Sequence, residues 1–474
     1  METCNHRVVQ RYLNSRVASI SEKEVERLLK RVLPGTPFAG KAMAVGGYIR
    51  DEYIGLEAKD LDIVVDMRGG AKKITTYLHN MFSREITRPH HMGAQYPIWQ
   101  ITFKDNIEYK GQTYRTKGAV IEFADTMKEK FTDPTSRQRK VMPATLEEDV
   151  ERRDFTVNML LKDLTSGEVV DLTGTSKHDI EKGILRGHPR VSLDKILNDD
   201  PLRMIRLVRF QCKYNWQIPK SVIKTVRRNA SRIEIVSAER IMDELKKVMK
   251  LGKLDRAIRL MKLMGLLKYI LPEVEAMQGV QQGKKYHAEG DVYKHTLNVL
   301  RHAPPTIEGQ LGALLHDVGK PKTQEIVEGA ISFHGHEEVG AEMAKAILYR
   351  LKFDAATIKK VVGMVRHHMR PHYLGPEVTD KAIRKFIRDL GDELVDATLD
   401  VSEADELGSI PQKHNVKQLR ERIKRIKESP LPVSKKPVLD GREIMTALNV
   451  KPGRVVGEAG RFLLELADDY AAWA

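Results

Sequence analysis

The hydrophobic period of this chain changes near residue 170, and that change limits what it can fold into. Before it, short β-branched runs such as "KAMAV", "DLDIVVD", "YPIWQITF" and "GAVIEFA" alternate with polar and helical stretches, the pattern of a mixed α/β domain. Beyond it, from "SLDKILNDDPLRMIRLVRF" onward, apolar residues recur three and four apart in "ERIMDELKKVMK", "LDRAIRLMKLMGLLKYI", "VYKHTLNVLRHA" and "IKKVVGMVRHHM", the spacing of amphipathic helices. An α/β domain followed by an all-helical half is therefore expected, and 474 residues at about 150 per domain allow three domains or so. The segments "AMQGVQQGKKYHAEGD" and "KESPLPVSKKPVLDG" read as linkers between helical pieces.

Eighty basic and 65 acidic residues leave a formal charge of +15, which favours a polyanionic partner. The two cysteines, Cys4 and Cys212, exclude a disulfide framework. No apolar run approaches the roughly 20 residues a bilayer requires, and the opening "METCNHRVVQRYLNSRV" lacks the apolar stretch of a signal peptide. A reducing, cytoplasmic setting is the expectation.

Gly46 and Gly47 follow the run "AMAV", and after one short helical pattern the chain returns to "DLDIVVD" with Asp60 and Asp62. On a strand these two carboxylates point to one face. They could share divalent metal, and Mg²⁺ favours one or two carboxylates completed by phosphate oxygens and water. Glycines at a strand-to-helix turn let backbone N–H groups approach phosphate. Taken alone, either piece would read as a plain turn or a solvated acidic edge.

Further on, "DDPLR" places Asp200 and Arg203 three apart at an expected helix start, with Pro201 in the first turn. Cytosine and adenine carry an exocyclic amino donor where uracil and guanine carry a carbonyl oxygen, so a fixed aspartate acceptor would select the first pair. Arg203 would supply the complementary donors. Arg206 and Arg209 continue the same stripe and read as structural or phosphate-facing.

The helical half holds "DVYKHTLNVL", "LGALLHDVGKP", "ISFHGHEEVGAE" and "MVRHHMRP", which bring His295, His316, Asp317, His336 and His368 onto or beside helices around a shared core. Neutral imidazoles with carboxylates suit a divalent transition metal that could activate water against a phosphate ester.

Together these pieces resemble known families. "GGYIRD" followed by "DLD" resembles the head motif of the tRNA nucleotidyltransferases and bacterial poly(A) polymerases, within the polymerase β-like superfamily. "EEDVERRDFTVNMLL" resembles their RRDFT-x-N motif, which implies nucleotide contacts from Arg152, Arg153, Asp154 and Asn158 beside Gly46, Gly47 and Arg50. "DLTGTSKHDIEKGILRG" resembles the hinge, with Asp171, Gly174, Asp179 and Arg186, and "NDDPLRMIRLVRF" the element that reads the base. "HDVGKP" resembles the HD phosphohydrolases, which implies a later aspartate, Asp405 or Asp400, and either His367 or His368 from the "HH" pair.

A head joined to an intact HD domain is similar to one bacterial branch of the CCA-adding enzymes. Met159 stands where that family has alanine and Asp199 where it has glutamate, and the segment 84–118 looks like an insertion. The implied fold is α+β: a nucleotidyltransferase head with a mixed sheet (1–170), a helical neck and body (171–280), a helical HD domain (281–425) and a tail (426–474). The implied activity is untemplated CCA addition or repair on tRNA from CTP and ATP, with Mg²⁺ at Asp60 and Asp62. The HD set would hold a divalent metal such as Mn²⁺ or Ni²⁺ for hydrolysis of a phosphate ester. A bacterial-type poly(A) polymerase is the alternative.

Overall fold

The computed structural model describes residues 21–92, 98–131, 139–283, 290–328, 330–409, 415–428 and 439–473. It divides into two compact units, the first ending at Asn229 and the second beginning at Ala230. Cys4, most of the second expected linker and part of the first lie outside the described residues.

The first unit opens with helix α1 (21–32) and then alternates strands and helices: β1 (Ala42–Val45), α2 (Gly47–Tyr53), β2 (Asp62–Val65), α3 (Gly70–Met81), β3 (His90–Met92), β4 (Ile98–Thr102), β5 (Ile107–Tyr109), β6 (Gln112–Tyr114), β7 (Val120–Asp125), β8 (Met127–Phe131), β9 (Arg139–Pro143), α4 (Leu146–Glu151), β10 (Leu161–Asp163) and β11 (Val169–Val170). Seven strands form one mixed sheet in the order β11-β10-β1-β2-β7-β4-β3. β2 and β7 run parallel, and the other neighbours are antiparallel. Alternate residues of the central strands bury both faces, with Met43, Val45 and Val64 on one side packing on Val150, Met159 and Leu161. Each such aliphatic removed from water contributes about 1.5–3 kcal/mol.

The insertion-like segment is part of this sheet, since β4 pairs with β7 over its whole length and β3 forms the edge, while β5 and β6 make a separate hairpin. Asp125 at the end of β7 accepts from the N–H groups of Gly69 (2.6 Å) and Ala71 (2.8 Å) and so caps α3. Helices α5 (Ser176–Lys182), α6 (Leu193–Asp199), α7 (Arg203–Tyr214) and α8 (Lys220–Asn229) complete the unit.

Among its described residues the second unit is helical apart from a small hairpin, β12 (Glu325–Val327) and β13 (Ala330–Ser332). Its helices are α9 (Ala238–Met249), α10 (Leu254–Leu263), α11 (Leu267–Ile270), α12 (Pro272–Glu275), α13 (Val292–His302), α14 (Ile307–Leu315), α15 (Lys320–Thr323), α16 (His336–Arg350), α17 (Ala355–His367), α18 (Asp380–Leu390), α19 (Asp392–Gly408), α20 (Asn415–Glu428), α21 (Gly441–Leu448) and α22 (Arg454–Trp473). Asp291, Thr306, Asp354 and Thr379 cap α13, α14, α17 and α18 by accepting an amide three residues on. The described ends of the first expected linker are not free: Asp291 also accepts from Gly279 N–H at 2.6 Å, and Gln282 N–H bonds to Gly290 O. Gly319 is required by contact, because a Cβ there would lie 2.2 Å from the carbonyl oxygen of His336.

Candidate functional site

In the first unit, Asp62 opens β2, but Asp60 precedes the strand in the left-handed region with φ 60°. The expected alternation along one strand therefore does not place the pair; the turn at Asp60 does. Both keep solvent access on either side of buried Leu61, although the protein packed around the Asp62 carboxyl strips part of its hydration. Asp62 lies opposite Glu122 of β7 in parallel register, and Gln100 of β4 donates to Glu122 Oε1 at 3.2 Å. Desolvation, then the charges of Glu122 and Asp60, push the Asp62 carboxyl up to about 6 against the pull of Arg153. Carboxylates crowded in this way are poised for a cation, and the remaining coordination suits phosphate and water.

Cationic groups face the carboxylates. Gly46 joins β1 to α2 with φ 75°, and a Cβ there would lie 3.9 Å from Arg153 Nη1. Arg153 keeps a buried Nε without a hydrogen-bond partner, a donor suited to an anion. Its orientation comes from Asp149, which is fully buried and accepts from Arg153 Nη2 (2.9 Å) and from Arg152 Nε (2.9 Å) and Nη2 (2.7 Å). Burial raises the Asp149 carboxyl, but Arg153 and Arg152 outweigh it and hold it below the usual range.

Behind this face runs a buried network. Asp154 accepts from Asn158 Nδ2 (2.9 Å) and Arg206 Nε (2.8 Å); burial would raise its carboxyl, yet Arg206, Asn158 and Arg203 keep it well depressed. Arg50 is 4% exposed and donates to Asp51, Asn158 and the Tyr214 hydroxyl. It ties α2 to α7. Asp200 is not inside a helix start: it is the extended C-cap of α6, and a turn through Pro201 and Leu202 leads into α7 at Arg203. Arg203 N–H bonds to Asp200 O at 3.0 Å, so the two remain adjacent. The Arg203 guanidinium donates to Ile196 O (2.9 Å) and to Arg152 O, which links the expected base reader to the arginine pair. In the hinge, Asp171 accepts from Thr173, Gly174 and Lys177, and Asp179 from Thr156 (2.6 Å) and Arg186 (2.7 Å).

The second unit gathers the histidines. His295 (α13), His316 and Asp317 (end of α14), His336 (start of α16) and His368 (end of α17) are each at most 8% exposed, and Asp405 of α19 completes the group. Asp405 Oδ1 lies 2.8 Å from His295 Nε2. Asp317 lies 3.2 Å from His316 Nε2 through Oδ2 and 3.4 Å from His336 Nε2 through Oδ1. Nδ1 of His316, His336 and His368 bonds to the carbonyls of Ala313 (2.8 Å), Phe333 (2.9 Å) and Val365 (2.6 Å). Nδ1–H donates in each of these bonds, which in a neutral ring leaves Nε2 as an inward lone pair. Nε2 of His336 and His368 stand 3.3 Å apart, an arrangement of lone pairs that a cation would relieve. Burial, then His316 and His336, lower His368 to about 3, so it is neutral at physiological pH.

The potential ligand atoms fall into two sets, His295, His316 and Asp405, and Asp317, His336 and His368. Among the described residues no such set of three forms in the first unit. His367 is outside the cluster's polar contacts, and Asp400 pairs with Arg420 at 2.9 Å instead.

Four contributors were not singled out from the sequence. Glu122 and Asp149 are single acids whose partners depend on strand register and on a helix turn. Lys320 Nζ lies 2.7 Å from Asp317 Oδ2 as an ion pair while donating to Gln282 Oε1 at 2.6 Å, and the "HDVGK" spacing, i to i+3, could have suggested it. His372 lies 3.0 Å from Asp405 Oδ2, and although burial opposes it, Asp405 and Glu406 raise it to about 9.

Comparison with known proteins is consistent along the chain. The poly(A) polymerase head domain matches residues 42–186, a probable RNA-binding region of that polymerase matches 215–278, and the HD domain matches 292–408. An A-adding tRNA nucleotidyltransferase of Deinococcus radiodurans is 30% identical over 92% of this chain and 94% of its own. A CC-adding tRNA nucleotidyltransferase of Thermus thermophilus is 33% identical over 68% of this chain and 73% of its own. The fold is similar to that of the Bacillus stearothermophilus CCA-adding enzyme solved with CTP, with a TM-score of 0.60 at 18% identity over 90% of this chain and 89% of that one.

Proposed function

The chain belongs to the tRNA nucleotidyltransferases, and from that premise we propose that it builds or repairs the 3′-terminal CCA of tRNA from CTP and ATP. The observation that carries this reading is Asp62, set between Asp60 and Glu122 and faced by Arg153 and the Gly46 turn. Asp60 and Asp62, with the Glu122 charge beside them, would hold Mg²⁺, which when bound lowers the pKa of the attacking 3′ hydroxyl and neutralises the triphosphate. Arg153 and Arg152, aimed by Asp149, bind the phosphates. Asp200 accepts the exocyclic amino group of cytosine or adenine, while Arg203 holds the joint beside it. Asp154, Asn158 and Arg50 support the pocket from behind.

The functional division is finer than two compact units: head 1–170, neck and body 171–280, HD domain 281–425 and tail 426–474. No helix among the described residues is long and apolar enough to cross a membrane, and we place the work in the cytoplasm, where tRNA and nucleotides meet. The test supplies tRNA transcripts ending before CCA, after C and after CC, with CTP and ATP singly and together, and sequences the products. Addition of C, of A or of all three assigns the share of CCA made; long A runs mark the alternative, a poly(A) polymerase; no addition overturns the reading.

A second activity is supported by the histidine cluster. We infer that the HD domain hydrolyses phosphomonoesters or 2′,3′-cyclic phosphates with Mn²⁺ or Ni²⁺. Inward imidazoles, the buried Asp317 carboxylate and the part-buried Asp405 carboxylate suit such an ion, and Lys320 and His372 add positive charge for the phosphate. Failure to hydrolyse either substrate with any of these ions overturns it.

A further inference from the structure

Asp405 of α19 meets the histidine cluster through one carboxylate oxygen: Oδ1 lies 2.8 Å from His295 Nε2, and the residue shares a ligand set with His295 and His316. Its other oxygen, Oδ2, is 3.0 Å from His372 Nε2, and His372 belongs to neither ligand set. Rotation of a carboxylate about its last bond is soft, so the aspartate alone does not keep Oδ1 turned to the cluster. A donor on Oδ2 does.

His372 is itself held from two sides. It lies in the short 3₁₀ turn Arg370–Tyr373, just beyond His368 at the end of α17, with its N–H on Met369 O at 3.2 Å. Ser402 of α19 donates to His368 O at 2.6 Å. Ser402 and Asp405 are three apart and share a face of the helix, so α19 grips the segment 368–372 twice, at its backbone and at its imidazole. On the far side of the ring, Nδ1 faces Glu406 Oε1 at 3.6 Å. Glu406 is 2% exposed and is fixed in turn by the Val416 N–H, 2.9 Å from its Oε2.

We propose that His372 is a positioning residue for the metal site of the second unit: its Nε2–H holds Asp405 Oδ2, so that Oδ1 stays presented to the ion. The proposal rests on reading the histidine cluster as a metal site. One short segment then serves both ligand sets, His368 as a member of one and His372 as the holder of Asp405 in the other. The role requires a donor at the reach of Nε2, which separates it from a charge lent to the phosphate. In His372→Gln the amide nitrogen reaches the place of Nε2. In His372→Asn it reaches only the place of Nδ1, facing Glu406, and leaves Asp405 unheld.

The test measures the Ni²⁺ affinity of the full chain by competition with a chromogenic chelator. Mg²⁺ is kept in excess to occupy the carboxylates of the head, since oxygen ligands suit Mg²⁺ and imidazoles suit Ni²⁺. The variants are His372→Gln, His372→Asn and His372→Ala, and the protein carrying both His316→Ala and Asp317→Ala supplies the background. Metal-free melting curves show that each variant is folded. Partners that orient a metal ligand govern roughly 10- to 100-fold in affinity, so Asn and Ala should bind Ni²⁺ that much more weakly, with Gln within about threefold of wild type. Wild-type affinity in His372→Ala overturns the proposal. So does an Asn variant that binds as well as Gln, which would make the Glu406 side of the ring the operative contact. A Gln variant as weak as Ala overturns it too and makes charge the operative property. Should His372→Ala fail to fold, the order of Gln and Asn decides alone. A wild type that binds no Ni²⁺ above background overturns the reading of the cluster and this proposal together, a result distinct from a wild type that binds Ni²⁺ and is indifferent to position 372.

Discussion

Asp62 on β2 and Glu122 on β7 are register partners in a parallel strand pair. Side chains at matched positions of neighbouring strands share a face, so a carboxylate at Glu122 acts on Asp62 directly. Desolvation and then Glu122 raise the Asp62 carboxyl from 3.8 to about 6. The native protein thus holds this proton more tightly than the unfolded chain. Without metal, the group's contribution to stability falls as pH rises through that window. With metal, protons compete below about 6, so the Mg²⁺ requirement should grow steeply on the acid side. Glu122→Gln should move that acid limb to lower pH and weaken Mg²⁺ at neutral pH. Rate measured against Mg²⁺ at several pH values checks both, and an unchanged limb together with unchanged Mg²⁺ dependence would remove Glu122 from the site.

Asp149→Ala should disorder two arginines at once. Hydrogen bonds to charged partners contribute about 1.5–3 kcal/mol each, but the arginines are part-exposed and can turn to water, so a net loss of roughly 2–3 kcal/mol in folding stability is expected. The Asp149 carboxyl lies below its usual range because Arg153 and Arg152 outweigh burial. Its stabilisation is therefore complete above the ordinary carboxylate pKa and lost as pH falls through the depressed one. KM for CTP and ATP should rise about tenfold while tRNA affinity holds. Equal weakening of nucleotide and tRNA would instead indicate a general loss of fold.

Asp200→Ala should relax base choice. Removing the acceptor that favours an amino group and repels a carbonyl should raise UTP or GTP incorporation relative to CTP and ATP by roughly 10- to 100-fold. Single-nucleotide extension assays give the ratio directly. Unchanged selectivity in a folded variant would assign base choice elsewhere.

How far the sequence reached depends on whether a partner was local. The glycine turn, the RRDFT run and the HD pair were legible because their chemistry lies within a few residues. So was the switch to helix, because periodicity is local too. Asp60 was misplaced onto a strand because a left-handed aspartate looks like any other residue in sequence. Asp200 was placed inside a helix start, but the chain breaks between α6 and α7 there. Glu122 and Asp149 escaped notice because their partners are set by strand register and a helix turn. The segment 84–118 looked like an insertion although β4, Ile98–Thr102, lies inside the sheet against β7; that pairing is long-range and leaves no local mark.

The histidine cluster should behave as a metal site separable from nucleotide addition. Burial and then the neighbouring imidazoles depress His368 to about 3 from 6.5. A group whose protonation is favoured only in the unfolded chain destabilises the fold as pH falls, so the chelated protein should lose stability progressively below about pH 6.5. Adding Mn²⁺ or Ni²⁺ at about 100 times its dissociation constant should restore roughly 2.7 kcal/mol, read as a rise in melting temperature of about 5–10 °C for the affected unit. His316→Ala combined with Asp317→Ala removes one ligand from each set and should abolish both that rise and phosphate hydrolysis. CCA addition should persist in the double variant, because its carboxylates and arginines lie in the other unit. Equal metal-induced shifts in wild type and double variant would place the ion elsewhere and leave the histidines as a structural core.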